Sequence, residues 1–239
     1  MSGATVLEHV QAHASLGPGF RFRGGNAACY RCVASNGRQA GMLWGENFEG
    51  LLQDLYVQHT QPAASAVWGI AGDQPARPRI YNATLVGSRD GPRAESEPGS
   101  GIRLDGEQAG LHARNVIATG FQGYGIEVRD GAETGFQDDS LGNLILGLNE
   151  MGAVNQPIAT YVPETSPQQV PQLLNVRPEP NPDPRPRNGS RALVADLAAV
   201  PPLARSSRAR ESHVGAFGYR NWLEQWTWFG GEEQYRATE

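Results

Sequence analysis

The chain has 239 residues, enough for one sizeable domain, with 30 Gly, 17 Pro and only 39% apolar residues, a balance that suits a turn-rich β protein better than a helical bundle. Its 20 basic residues, all Arg, stand against 25 acidic ones, and a net charge of −5 leaves no basic footprint for nucleic acid or an anionic membrane. Without Lys there is no Schiff-base or P-loop chemistry; no run nears the ~20 apolar residues of a membrane span, and Met1 opens no secretory signal.

An internal repeat organises the first two thirds of the chain. Its pattern is an apolar residue, a polar residue at a bend, then two apolar residues in alternation. It reads Leu7, His9, Val10, Ala12, and again Cys29, Arg31, Cys32, Ala34. Leu52, Asp54, Leu55, Val57 follow, then Ile80, Asn82, Ala83, Leu85 and Ala113, Asn115, Val116, Ala118. The bends at 9, 31, 54, 82 and 115 lie 22, 23, 28 and 33 residues apart. The first two intervals match one minimal coil of a parallel β-helix, and the later two match a coil with an inserted loop.

A second strand follows each bend, its inward residues alternating at the period of two. These are Phe20 and Phe22, Met42 and Trp44, a weaker stretch at Val67 to Ile70, Ile102 and Leu104, and Ile126 and Val128. Bend and first inward residue are 11 apart at 9→20, 31→42 and 115→126. Gly19, Gly41, Gly101 and Gly125 precede four of these strands, where a corner requires φ > 0 or close approach of neighbouring coils. No amphipathic helix separates the strands, which excludes a doubly wound α/β sheet.

Residues 87–100 read as a solvated loop leaving a corner, and Gln61 to Arg79 as a shorter excursion. Leu141, Leu144, Ile145 and Leu148 have helix-compatible spacing, but Gly142 and Gly147 oppose a helix, so a final irregular coil is expected there. Pro163 to Arg187, with Pro178, Pro180, Pro182, Pro184 and Pro186, predicts an extended polyproline-like path along the stack. The chain regains aromatics at Phe217, Tyr219, Trp222, Trp226, Trp228 and Phe229, a cluster too apolar for a free tail. The expected architecture is therefore all-β: a right-handed parallel β-helix, a single-stranded solenoid of about five to six coils over 1–160. The Pro-rich segment and aromatic cap of 161–239 would pack on it.

Several segments carry a family resemblance. They are the coils Leu7 to Gly25 and Asn26 to Gly45, and the run Asn181-Pro182-Asp183-Pro184-Arg185-Pro186 with Gly189-Ser190-Arg191-Ala192-Leu193. The ending His213-Val214-Gly215-Ala216-Phe217, Asn221-Trp222 and Trp226 to Phe229 is the most specific of them. Together they resemble the C-terminal part of a family of bacterial exported β-helix proteins, pectate-lyase-like in fold and mostly without known biochemical function. The resemblance implies an extracellular or cell-surface location. Relatives carry paired acids in the early corners and an export signal; here the corners read Gly17-Pro18-Gly19 and Arg38-Gln39-Ala40-Gly41, and no signal is present.

Cys29-Tyr30-Arg31-Cys32 has redox or half-zinc spacing, but zinc needs about four ligands and no second pair exists. On the predicted register both thiols face the core as small hydrophobes, outside any disulfide framework. His9, His13 and His59 are expected at bends or on the surface, without a metal. Arg103, Asp105, Glu127 and Arg129 would stack on neighbouring coils as a mixed charged strip; they are the catalytic candidates for hydrolysis or lyase chemistry, which uses acids and an Arg on one outward face. The alternative for them is a solvated face. Asp138 and Asp139 form an adjacent acid pair that serves as a candidate metal position, and no cofactor motif occurs.

An uncovered terminal coil exposes backbone and core. The first coil is therefore expected to be covered by self-association or by another protein domain. Two functions follow: a non-catalytic structural or adhesive surface module that assembles with other chains, or a protein that binds or degrades a polysaccharide.

Overall fold

A computed structural model describes residues 5–59, 67–73, 75–89, 97–107, 109–132, 136, 140–158, 170–176, 182–193, 213–224, 226–227 and 229. Apart from one 3-10 turn at Arg191–Leu193, its elements are strands. The chain passes alternately into two parallel sheets. One holds β1 (Val6–Glu8), β2 (Gln11–His13), β4 (Ala28–Tyr30), β5 (Val33–Ser35), β7 (Leu51–Gln58), β9 (Arg79–Val86), β11 (His112–Thr119) and β13 (Leu141–Ile145). The other, in order β14-β12-β10-β8-β6-β3, holds β3 (Phe20–Gly25), β6 (Met42–Phe48), β8 (Ile70–Asp73), β10 (Ile102–Asp105), β12 (Tyr124–Arg129) and β14 (Gly152–Val154). Six such layers are seen among the described residues, and inward side chains of both sheets merge into one core.

The bends explain how a strand can point two residues three apart to the same side. In a regular strand, alternation would turn the second one outward. His9, Arg31, Asp54, Asn82 and Asn115 all take left-handed backbone, with φ of 55, 49, 53, 53 and 58°. Asn, Asp and His tolerate this conformation better than most residues; Arg31 is the exception in the series. One left-handed residue resets the phase, so Leu52 and Leu55 both face inward and are fully buried. Burial of each contributes roughly 1.5–3 kcal/mol.

The register runs without a slip through this sheet. Leu7 pairs with Cys29, Cys29 with Leu52, Leu52 with Ile80, Ile80 with Ala113, and Ala113 with Leu141. Beyond the bend, Ala12, Ala34, Val57, Leu85 and Ala118 align in the same way. A one-residue slip would send the whole buried set outward, so this burial holds the register.

The expected final irregular coil holds a regular first strand of a sixth layer. β13 pairs in step with β11, and Asn143 is its left-handed bend at φ 52°. The apparent helical spacing of Leu141 and Leu144 is the three-residue step across that bend. The weaker stretch at Val67 to Ile70 resolves into β8, which starts at Ile70 and pairs with Met42 below and Ile102 above.

Close approach, and not positive φ, explains the corner glycines, which Gly69 joins. A Cβ would lie 2.7 Å from the next layer's carbonyl at Gly19, 2.8 Å at Gly41, 2.5 Å at Gly69, 2.7 Å at Gly101 and 2.9 Å at Gly125. Real Cβ atoms essentially never come that close, so this column admits only glycine wherever another layer follows.

The cysteines correct the sequence reading. Both are fully buried, as expected, but they are bonded to each other and not free thiols. They occupy the two inward positions flanking the Arg31 bend, and their Cα atoms are 6.1 Å apart, within disulfide reach. The loop is short, so loop-closure entropy assigns the bond only about 2 kcal/mol. Reduction, or Cys29→Ala with Cys32→Ala, is expected to lower urea stability by about that amount with the fold retained. Alkylation should find no thiol before reduction.

Described residues between 170 and 229 lie on the outer face of the first sheet. Val33, Tyr56 and Val86 pack there against Ala216, Phe217, Leu223 and Phe229, with Leu173, Val176, Trp222 and Trp226 around them. Ile117 and Ile145 pack against Ala192 and Val214. The chain therefore descends across the layers, from Val214 on Ile117 to Phe217 edge-on against Tyr56 at 5.3 Å. Trp226 then stands edge-on to His9 at 5.2 Å and Phe229 faces His13 at 6.4 Å. Hydrogen bonds fix the path: Gly215 N–H donates to the Asn115 carbonyl at 2.8 Å, Asn82 Nδ2 to the His213 carbonyl at 3.0 Å, and Ala216 N–H to Thr84 Oγ1 at 2.9 Å. Where the Pro-rich run is described it is not a lone polyproline strand: β16 (Asp183–Pro186) pairs antiparallel with β15 (Leu173–Asn175). Trp228 and Pro163 to Gln169 lie outside the described residues.

Candidate functional site

The four catalytic candidates come together on the outer face of the second sheet. Arg103 pairs with Glu127 in register, and Asp105 with Arg129. Each sits next to inward core residues in its strand, so strand alternation places its side chain outside. Opposite charges on adjacent strands are the favourable arrangement.

Glu97, which sequence reasoning missed, completes the group. It lies near the end of the segment 87–100, whose Arg, Glu, Pro and Ser content reads as solvated, yet Gly99 and Ser100 are buried. The Glu97 carboxylate accepts from Arg103 Nη1 at 2.6 Å and from Arg129 Nη1. Arg103 also donates to Asp105 Oδ2, from Nε at 2.8 Å and from Nη2 at 2.6 Å. Glu127 Oε2 accepts from Ser100 Oγ at 2.8 Å, and its Oε1 lies 3.9 Å from Arg129 Nε. The Arg103 guanidinium stacks 4.5 Å from the centroid of Trp68, another residue absent from the sequence-based strip. The position of Glu97 directly before the Pro98-Gly99 return into β10 is the one sequence signal that could have found it.

Two guanidiniums thus bind three carboxylates and close on themselves. Hydrogen bonding from Arg103, against a smaller desolvation effect and helped by Arg129, holds the Glu97 carboxyl below its ordinary range. Burial would lower Arg103, but its bonds to Glu97 and Asp105 outweigh that and raise it. A hydrolytic acid needs the opposite shift, toward a carboxyl still protonated near neutrality. The face of Trp68 nearest the strip, the natural stacking surface for a sugar ring, carries Arg103. The arrangement clamps β10, β12 and the returning 97–100 segment together.

The remaining candidates are dispersed. Asp138 and Asp139 lie outside the described residues. His9 is exposed beside Glu8 at 3.7 Å, and His13 Nδ1 meets Ser35 Oγ at 2.8 Å. His59 is neither at a left-handed bend nor on the surface, the two places expected for it: it is 2% exposed, and its Nε2 lies 3.0 Å from the Trp68 carbonyl. Among the described residues no three His, Cys, Asp or Glu side chains gather where they could hold a metal ion. No described helix is long and apolar enough to cross a membrane. Compared with known proteins, the chain matches no family model, no curated protein and no solved structure.

Proposed function

We propose that the chain is a right-handed parallel β-helix of the exported, pectate-lyase-like kind, serving as a non-catalytic structural or adhesive module of the cell exterior that assembles with other chains. The observation that carries this reading is the six-layer stack whose outward strip of Glu97, Arg103, Asp105, Glu127 and Arg129 is spent on itself. A scaffold benefits from such neutralised, rigid faces, whereas a catalytic strip needs at least one group held ready for substrate. The buried Cys29–Cys32 bond favours maturation in an oxidising compartment and supports the extracellular assignment.

Polysaccharide binding or cleavage is the second reading, and one observation favours it. The Glu97 and Arg129 side chains are 36% and 37% exposed, so part of the strip faces solvent. A panel of acidic and neutral polysaccharides separates the two readings. The structural module should show neither turnover nor retention, and should sediment as an assembly with its partner. Turnover lost in Asp105→Asn or Arg103→Gln would overturn it.

A further inference from the structure

The two ends of the layered stack are built differently, and the difference bears on what can dock. In the sixth layer, on either side of β14, side-chain amides take fifth-layer backbone groups that a regular sixth-layer strand would satisfy. Asn155 Oδ1 accepts from Val128 N–H at 2.8 Å, and its Nδ2 donates to the Val128 carbonyl at 2.8 Å. Asn149 does the same one corner away, accepting from Phe121 N–H at 3.0 Å and donating to the Ala118 carbonyl at 3.0 Å. The glycine column also ends here. Tyr124 pairs with Gly152 and Ile126 with Val154, so Ala153 stands over Gly125, with a methyl where a following layer's carbonyl would lie. The Ala153 methyl disfavours a further layer added here in register.

The opposite end has the features of an acceptor. β3 ends its sheet, and its Phe20 and Phe22 remain 9% and 8% exposed where Met42 and Trp44 above them are at 0% and 1%. In the first sheet Leu7, Val10 and Ala12 are only partly buried at positions that are fully enclosed in inner layers. On the outer face of β3, Arg21 and Arg23 are exposed, and their register partners above are Leu43 and Gly45, neither of them acidic. At the equivalent positions higher in the sheet, Arg103 meets Glu127 and Asp105 meets Arg129.

The geometry points to β3 as a docking edge for an extended strand of another protein, one that alternates apolar residues over Phe20 and Phe22 with acidic residues beside Arg21 and Arg23. Strand addition supplies main-chain hydrogen bonds, while the alternate side chains select the partner. A second copy of this chain fits poorly. Its β14 end would bring the Ala153 methyl to the place where each inner layer sets a glycine, and Asn155 and Pro157 against the arginines; its own β3 would set Arg against Arg. The inference deepens the assembly part of the proposed function by naming the edge and the chemistry of the partner.

The test uses the full chain and two fluorescein-labelled peptides, Gly-Val-Glu-Val-Glu-Val-Gly and the same peptide with Lys for Glu, followed by fluorescence anisotropy. The Glu peptide should bind saturably at one site, and Arg21→Glu with Arg23→Glu should weaken it about tenfold and admit the Lys peptide instead. Arg21→Lys with Arg23→Lys should retain most binding. Both arginines are exposed, so a thermal melt matching the parent confirms that the variants fold. No saturable binding, or equal binding to the charge-reversed variant, overturns the docking edge. Self-association relieved by charge reversal overturns it too, while leaving the structural module standing.

Discussion

Trp44→Ala is expected to cost about 3–5 kcal/mol of unfolding free energy, the range for deleting a buried large aromatic. Trp44 is 1% exposed in the inward column that runs Phe22, Trp44, Gly72, Leu104, Val128. Its indole fills the space left by the missing side chain of Gly72, where an added Cβ would overlap the ring. Phe22 stacks on Phe48 at 4.7 Å beside it, so the cavity left by alanine has little freedom to collapse. Gly72→Val alone should cost about 1–3 kcal/mol or more by overpacking. Because the two positions share one volume, the double variant should be less destabilised than the sum of the singles. Urea titrations with unchanged slope test this; strict additivity would mean that Trp44 does not lie over Gly72.

Acidification should destabilise the protein before most carboxylates titrate. Burial pushes the His59 ring down to about 4 from 6.5, against a weaker opposing hydrogen bond that the ring makes to the Trp68 carbonyl. The unfolded chain binds this proton more readily than the folded one. The contribution is therefore fully present above pH 6.5 and is lost as pH falls from 6.5 toward 4. A difference of 6.5 − 4 corresponds to about 3 kcal/mol in total, of which about 2 falls between pH 7.5 and 5. His13 is shifted in the same direction by burial, but its ring is exposed and its share smaller. Glu97, held low, loses its contribution only at more acid pH. Urea midpoints at pH 7.5 and 5 should differ in the parent and nearly coincide in His59→Gln. A pH dependence that persists unchanged in that variant would assign the effect elsewhere.

The bends were legible because a strand rarely sets a polar residue between apolar neighbours two before and one after it unless the backbone turns there. Asn143 escaped because Gly142 and Gly147 dilute the pattern and the three-residue step mimics a helix. The same step held the disulfide: once Cys29 and Cys32 flank a left-handed bend on the inward side, bond formation follows from geometry, yet a cysteine count alone suggests no framework. His59 looked like a bend or surface residue because burial at a corner depends on neighbouring layers and not on local sequence. Strand alternation was enough to place Arg103, Asp105, Glu127 and Arg129 on one outer face. It could not place Glu97, whose role comes from how a loop returns, which composition does not encode.

Successive windows of the chain place the same inward positions over one another. A crystal structure at side-chain resolution would show the stacking. Val10, Cys32, Leu55, Ala83, Val116 and Leu144 should form one column at about the 4.8 Å spacing of paired strands. A strand shifted by one residue anywhere in that column, or Cys32 lying apart from Leu55, would refute the stacking.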